Sequence, residues 1–186
     1  MRTKKRGIYP DFMLRKFVEA GFIQGKEPID VSDESPVIGS SSLDLTLGDK
    51  AYVVAGSSTP KREESVEKML DTLSRSSGLE ELDLAKPEGC VLHNGSVYVA
   101  ELNEALDLTN EIRGRANPKS STGRLDILAR VITDGTTLFD NVPIGYKGKL
   151  YLEIHSSTFN IRVRKGDSLS QLRLHSYHEI PEFTAQ

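Results

Sequence analysis

The sequence contains little cysteine, no tryptophan, few aromatic residues and no long apolar run. Of its 186 residues one is a cysteine, Cys90, and aromatic residues make up 6%. A single thiol excludes an internal disulfide and any metal site built from several cysteines. The apolar runs are too short to span a membrane, and the basic N-terminus has no apolar stretch behind it that would form a secretory signal. We therefore expect a cytoplasmic protein without a membrane partner.

The chain also lacks an excess of positive charge, since its formal net charge is -3. A protein that binds nucleic acid broadly needs a basic face, so we expect no nucleic-acid partner. A local cationic site for a small anion remains open. Hydrophobic residues make up 37% of the chain, and no Gly/Ser-rich or Pro-rich linker divides it. We expect one domain over residues 1–186, because this length suffices for one core.

Local patterns predict a mainly β protein with two short helices. Asp11 is the expected cap of the first helix, and residues 57–87 form a helical excursion for which Thr59 is the expected cap. The rest of the chain alternates short apolar runs with turns, which is typical of a sandwich or barrel. Asn94 and Gly95 lie between two such runs and predict a β-hairpin.

The segment from Lys119 to Arg124, "KSSTGR", concentrates donors and two cations in front of an apolar, β-prone run. Hydroxyl groups, a small residue that lets the backbone approach, and positive charge suit a polyphosphate ligand. The segment is not a Walker motif, because the lysine precedes the serines and the required glycine spacing is absent. The residues alone leave two readings open, a binding loop and a polar turn.

Two carboxylates stand out among the predicted strands. Glu153 shares a strand face with Lys149, Tyr151 and His155 in "GYKGKLYLEIHS". Buried beside a cation it could transfer protons, but the residues alone favour a solvated position on an edge strand. Asp140 lies at the end of a short apolar stretch, before a turn. At such a position the side chain of an aspartate commonly forms a hydrogen bond with the backbone two residues further along the chain.

The histidines give no sign of a metal site. They are scattered over the sequence, without a His-x-x-x-His pattern or a cysteine pair, at His93, His155, His175 and His178. We therefore expect no catalytic zinc. A Gly-x-Ser-x-Gly nucleophile elbow is also absent.

Several motifs, taken in order, resemble the dCTP deaminase family within the dUTPase-like superfamily. They are "SSLDLTLG" (Ser41 to Gly48), "KSSTGRL" (Lys119 to Leu125), the Asp140 turn, "GYKGKLYLE" (Gly145 to Glu153) and "RKGDSLSQLRL" (Arg164 to Leu174). The similarity is greatest to the first half of two-domain bacterial deaminases, which carry a similar "NPKSSTGRLD" stretch. The resemblance implies a distorted jelly-roll subunit of the β-clip type, in a homotrimer whose active sites lie between subunits.

The resemblance also implies a reaction and its residues. Family members deaminate dCTP to dUTP and ammonia without a catalytic metal, while Mg²⁺ accompanies the triphosphate. The dUTP supplies thymidylate synthesis, and dTTP is a candidate inhibitor. Glu153 matches the proton-shuttling glutamate, and Ser120 and Arg124 match the serine and arginine that hold the water, the glutamate and phosphate oxygens. The implied substrate-binding residues are Lys119, Ser120, Ser121, Thr122, Gly123, Arg124, Asp140 at the deoxyribose 3′-hydroxyl, Tyr151 and Leu152 at the base through their backbone, and Gln171.

The chain departs from the family pattern in three places. The stretches before and after Asp140 are slightly longer than in short family members. Arg130, Ile132, Thr133 and Asp134 replace a His/Thr/Ala-rich stretch. The C-terminal "HSYHEIPEFTAQ" does not match the tail with Tyr, Lys and Gln that closes over the triphosphate. The alternatives are therefore a dUTPase, a bifunctional enzyme that converts dCTP to dUMP, and a non-catalytic deoxynucleotide-binding module.

Overall fold

The computed structural model describes residues 7–176, and within this range it is mainly β with three helices. The helices are α1 (Asp11–Glu19), α2 (Val66–Ser77) and α3 (Ser120–Arg124). The strands are β1 (Ile23–Gly25), β2 (Ile38–Gly39), β3 (Ser42–Val54), β4 (Glu80–Asp83), β5 (Cys90–Leu92), β6 (Val97–Asp107), β7 (Ile112–Pro118), β8 (Ile127–Ile132), β9 (Asn141–Val142), β10 (Lys147–Ser156), β11 (Ile161–Val163) and β12 (Ser168–Ser176).

One large antiparallel sheet builds the molecule, in the order β8-β10-β6-β3-β12-β7-β9. The long strand β3 turns the corner of this sheet, because its first half pairs with β12 and its second half pairs with β6. Strand β7 also contacts β8, so the sheet curls into a nearly closed barrel. A mainly β, jelly-roll-like fold was predicted, and it is confirmed.

Two apolar clusters cover the two faces of the sheet. The larger cluster fills the barrel and includes Leu14 and Phe17 of α1. The smaller cluster lies between α2 and the outer face of the sheet and consists of Val54, Val66, Met69, Leu70, Val99, Ile132 and Tyr151. Strand β10 therefore has apolar residues packed against both of its faces, so the residues in the middle of this strand are buried.

Three local predictions were wrong or incomplete. Asp11 does not cap α1, because it is the first residue of the helix and Pro10 occupies the cap position. The turn at Gly95 forms, with φ +81°, but β5 pairs with β11 rather than with β6, so the predicted hairpin is absent from the described strands. Helix α2 is capped by Ser65 Oγ, which accepts from Lys68 N at 3.2 Å, and not by Thr59. Thr59 instead donates to Thr137 O at 3.4 Å, because the segment before α2 runs along the sheet.

The third helix, α3, was not predicted as a helix. It occupies the "KSSTGR" segment, where five residues make one helical turn between β7 and β8. No helix in the described part of the chain is long and apolar enough to cross a membrane. The C-terminal stretch predicted to depart from the family pattern is residues 175–186, and from residue 177 onward, which includes His178, it lies outside the described range.

Candidate active site

Glu153 lies in the interior of the sheet rather than at an edge. Strand β10 pairs with β6 on one side and with β8 on the other, so that Glu153 is opposite Val99 and Arg130. Only 1% of Glu153 is exposed. The reading of a solvated edge-strand glutamate is therefore wrong. The alternation pattern could not show this, because the face that carries Glu153 is covered by the excursion around α2.

Within the described part of the chain, four hydrogen bonds from three residues hold the Glu153 carboxylate. Arg130 donates to Oε1 through Nε at 3.2 Å and through Nη2, and the two residues form an ion pair. Ser57 Oγ donates to the same oxygen at 3.3 Å, while Ser58 N donates to Oε2 at 3.3 Å. A carboxylate buried this deeply needs a cation and hydrogen bonds in place of water, and these groups supply them.

The guanidinium of Arg130 is itself held in place from two sides. It lies over the ring of Phe139, with 3.9 Å between Cζ and the ring centroid. Its Nη2 also donates to Ser57 Oγ at 3.0 Å. Sequence reasoning singled out Arg130 only as a departure from the family, and it missed Ser57, Ser58 and Phe139. The signal that was available is the charge pair across neighbouring strands, since opposite charges often face each other in a sheet.

Asp140 is anchored to the residue that follows Arg130. Its Oδ1 accepts from Val131 N at 2.8 Å, and its own N–H donates to Val131 O at 2.8 Å. The sequence favoured a hydrogen bond from the Asp140 side chain to the backbone two residues further on, but this oxygen instead accepts from Val131, nine residues earlier. Asp140 has φ +58°, a left-handed conformation that aspartate tolerates better than most residues. Burial raises the pKa of the Asp140 carboxyl.

Helix α3 presents most of its side chains to solvent. Ser120, Ser121, Gly123 and Arg124 are exposed, while Thr122 is 3% exposed and packs inward. The exposed set contains the donors that a polyphosphate requires. The segment is thus neither a plain loop nor a simple turn, but one helical turn with an open, polar outer side.

Lys119, just before α3, forms an ion pair with Asp44 of β3. The backbone N–H of Lys119 donates to Leu169 O at 3.0 Å, which ties the start of α3 to the neighbouring β12. Gln171 of β12 lies between Asp44 and Asn117 in the register and is half-buried. The predicted substrate-binding residues Lys119 and Gln171 therefore border the base of α3 together with Asp44.

Tyr151 and Leu152 are fully enclosed in β10, with exposed fractions of 1% and 0%. The hydroxyl of Tyr151 donates to Glu67 Oε1 of α2 at 3.3 Å, and burial raises the pKa of this phenol. Both residues have partners in the register on β6 and on β8. The expectation that their backbone contacts the base stays a prediction.

Glu153 and α3 are not directly connected. Among the side chains of residues 7–176, no hydrogen bond or ion pair joins Ser120 or Arg124 to Glu153, and Arg130 is the arginine in contact with it. The roles predicted for Ser120 and Arg124 stay predictions. The same described range contains no cluster of three or more His, Cys, Asp or Glu residues that could hold a metal ion.

Comparison with known proteins agrees with this geometry. The family described as the 2′-deoxycytidine 5′-triphosphate deaminase N-terminal domain matches residues 5–178. A relative from Streptomyces avermitilis called "dCTP deaminase, dUMP-forming" is 31% identical over 173 residues, which is 89% of this chain and 82% of the relative. A relative from Psychromonas ingrahamii called "dCTP deaminase" is 26% identical over 152 residues, covering 79% and 71% of the two chains.

A solved structure extends the comparison to three dimensions. The crystal structure of 2′-deoxycytidine 5′-triphosphate deaminase from Agrobacterium tumefaciens matches with a TM-score of 0.84 and 42% identity, over 94% of this chain and 49% of that one. This chain therefore spans about half the length of that structure. The curled β sheet and its likeness to that structure define the class as a dUTPase-like β-barrel protein. The chain belongs to the dCTP deaminase family, as its motifs predicted.

Proposed function

We propose that this chain carries out the hydrolytic deamination of dCTP, releasing ammonia and forming a deoxyuridine nucleotide. The observation that carries the proposal is the environment of Glu153, a carboxylate with 1% exposure whose charge is balanced by Arg130. A buried, hydrogen-bonded carboxyl group of this kind is suited to take a proton from water and return it to the base. Membership in the dCTP deaminase family indicates the substrate.

The reaction needs one group that moves protons between water and the base. Water attacks C4 of the cytosine, and its proton passes to Glu153. The carboxyl delivers this proton to N3. It then takes the second proton from the hydroxyl now on C4 and delivers it to the amine, which leaves as ammonia while the C4–O bond becomes a carbonyl. The bond from C4 to the amine nitrogen breaks, and a bond from C4 to the water oxygen replaces it. Zinc-dependent deaminases carry a His/Cys–Cys signature, which the single Cys90 does not supply.

The remaining residues would bind the rest of the nucleotide. Asp140 would accept the deoxyribose 3′-hydroxyl, and the backbone of Tyr151 and Leu152 would meet the base. The phosphates would be bound by the exposed residues of α3 and by its border, namely Ser120, Ser121, Gly123, Arg124, Lys119 and Gln171. Thr122 packs inward and would take part only through its backbone N–H. Mg²⁺ would arrive with the triphosphate, whose oxygens would hold it. dTTP would compete for the same site as an inhibitor.

The active site would be shared between subunits of a homotrimer. Two features of the protomer support this arrangement. Ser120 and Arg124 are exposed, and no hydrogen bond within the described residues connects them to Glu153. A neighbouring subunit could therefore bring its α3 to the Glu153 of this one.

The second candidate is a bifunctional reaction that ends at dUMP. It is favoured by the names of relatives, because those from Streptomyces avermitilis, Streptomyces coelicolor and Thermobifida fusca are called "dCTP deaminase, dUMP-forming". In this case water would also cleave the triphosphate between the α and β phosphorus atoms, releasing pyrophosphate.

An anion-exchange assay of dCTP with Mg²⁺, with ammonia quantified in parallel, tests the proposal. Equal amounts of dUTP and ammonia are expected for a simple deaminase. Ammonia together with dUMP and pyrophosphate would establish the bifunctional enzyme. A pure dUTPase would release no ammonia from dCTP. Protection against thermal unfolding by dCTP without turnover would mean a binding module and would contradict both candidates.

A further inference from the structure

We propose that Arg130, together with Ser57 and Ser58, positions the Glu153 carboxylate for proton transfer. The inference rests on the proposed deamination at Glu153, and it assigns to an arginine of the same subunit the contact that the family resemblance gave to Arg124. Arg130 acts here as a positioning residue, since its contact is with Glu153 and not with the nucleotide.

The hydrogen bonds make the two oxygens of Glu153 unequal. Oε1 accepts from Arg130 Nε, Arg130 Nη2 and Ser57 Oγ, whereas Oε2 accepts only from Ser58 N among the described residues. A carboxylate oxygen has about two lone pairs, so Oε1 is saturated and Oε2 keeps one free. Oε2 is therefore the oxygen that takes the proton from water and returns it to the base.

The geometry of Arg130 is suited to holding a single orientation. Its planar guanidinium stacks on Phe139 and donates to Ser57 Oγ at 3.0 Å, and 32% of the side chain is exposed. A lysine at the same position would supply the charge but neither the fork of donors nor the stacking plane. The two functions of Arg130, charge and orientation, can therefore be separated by substitution.

Among residues 7–176, the other groups that face Glu153 form no ion pair with it. On its own strand face lie Tyr151, whose hydroxyl bonds Glu67, and His155, whose Nδ1 lies 3.0 Å from Ser96 O. Strand β6 places Val99 opposite it, and the segment before α2 contributes two serines. Within residues 7–176, Arg130 is thus the cation that forms an ion pair with Glu153.

The same stretch of β8 connects Glu153 to the site predicted for the sugar. Arg130 bonds Glu153, and the next residue, Val131, is bonded by Asp140 through both its N–H and its carbonyl. Phe139, the residue before Asp140, carries the guanidinium on its ring. A nucleotide bound at Asp140 would therefore meet a carboxylate whose position is set by the adjacent residue of β8.

The kinetic test compares Arg130→Met and Arg130→Lys with the wild type, and Arg75→Met, an exposed arginine on α2, is the control for loss of charge. For Arg130→Met we expect kcat for ammonia release to fall about 100-fold, the effect of a misplaced reacting group, with a much smaller change in KM. The acid limb of the pH–rate profile should move to higher pH by about one unit, because a lost cation favours the protonated carboxyl.

Arg130→Lys should restore the position of the acid limb but only part of kcat. Arg75→Met should match the wild type in all three quantities. A folded Arg130→Met variant with the wild-type kcat and pH profile would overturn the inference. So would a variant in which KM rises and kcat is unchanged, because that result would make Arg130 a substrate-binding residue.

A second measurement does not depend on turnover. The ¹³C signal of the Glu153 side-chain carboxyl, assigned with Glu153→Gln, is followed against pH by NMR in the nucleotide-free protein. Its midpoint should be higher in Arg130→Met than in the wild type, and an unchanged midpoint would refute the role of Arg130. If the midpoint moves but the wild type releases no ammonia, the contact is correct and the proposed deamination is wrong. If Arg130→Met fails to fold, the midpoints of Arg130→Lys and Ser57→Ala are compared with that of the wild type instead.

Discussion

The side chain of Glu153 is deeply buried and, within residues 7–176, has one cationic partner, Arg130. Such a carboxylate depends on each of its hydrogen bonds, because removing one partner leaves a buried charge uncompensated. Here the partners come from β8 and from the segment before α2, which places two distant parts of the chain against one functional group. A substitution of Glu153 should therefore affect the rate of deamination without affecting the binding of the nucleotide.

Glu153→Gln is expected to abolish ammonia release from dCTP and to spare nucleotide binding. The amide has the shape of the carboxyl group, but it cannot take a proton from water at neutral pH. Ammonia release and the dissociation constant of dCTP, measured by calorimetry, check the two halves of this prediction. Thermal unfolding of the variant verifies that the protein is folded. A fully active variant would exclude Glu153 as the proton carrier.

Helix α2 is the element that encloses the site. Val66, Met69 and Leu70 pack against Val99, Ile132 and Tyr151 of the sheet. This packing closes the outer face of β10 and brings Ser57 and Ser58 to the carboxylate. The excursion is thus a structural part of the predicted active site, and its apolar contacts hold the polar ones in place.

Leu70→Ala should destabilise the protein by about 2–5 kcal/mol, because the side chain is 6% exposed and its removal leaves a cavity under α2. Urea unfolding monitored by circular dichroism measures the free energy of unfolding. Lys68→Ala, at an exposed position of the same helix, is the control and should change it by no more than about 0.5 kcal/mol. Equal effects of the two substitutions would show that α2 does not pack on the sheet.

At the scale of the whole molecule, a charged network joins parts of the chain that are far apart in sequence. Asp49 of β3 forms ion pairs with Lys165, at 2.8 Å, and with Lys26, and Lys165 also pairs with Glu27 at 2.7 Å. The hydrogen bonds from Lys165 and Lys26 lower the pKa of Asp49 from 3.8 to about 2. Lys165 in turn has its pKa raised to about 12, first by Asp49.

This depressed pKa predicts how the stability depends on pH. A carboxyl group whose pKa is lower in the folded state than in the unfolded state stabilises the protein when the pH is above its unfolded-state pKa. This contribution is lost as the pH falls through its folded-state pKa. Asp49→Asn should therefore be less stable than the wild type near neutral pH, with a difference that shrinks below about pH 4 and vanishes only below about pH 2. Denaturant unfolding at several pH values measures this difference.

Asp107→Asn is the matched control, since its ion pair with Lys147 is largely exposed, with side-chain fractions of 50% and 70%. An exposed pair contributes about 0–1 kcal/mol, so this variant should differ little from the wild type at any pH. If the Asp49→Asn difference at pH 2 equals the difference near pH 6, the network does not lower the pKa of Asp49.

The proposed trimer is tested by mixing two inactive variants. Glu153→Gln and Arg124→Ala subunits, unfolded and refolded together, should form mixed trimers in which some sites combine an intact Glu153 with an intact Arg124 from a neighbour. Random mixing predicts recovery of about a quarter of the wild-type ammonia release, because half of the subunits supply each intact residue. Light scattering measures the mass of the assembly. Mixed trimers without recovered activity would show that both residues act within one subunit.

Local sequence patterns determined much of this protein by themselves. Alternation and turn residues predicted a mainly β fold, and the motifs around Lys119, Asp140 and Glu153 predicted the family that the comparisons confirm. Such signals are local, because side-chain periodicity and turn chemistry depend on neighbouring residues in the chain. The same signals could not say which strands pair or which face is covered.

Only the tertiary structure decided the environment of the site. The burial of Glu153 depends on α2 lying over the outer face of β10, and its partner Arg130 is 23 residues away on the neighbouring strand. The pairing of β5 with β11 instead of β6 likewise depends on the tertiary structure. Each depends on register and closure between distant segments, which apolar packing selects over the whole molecule and which no short stretch of sequence specifies.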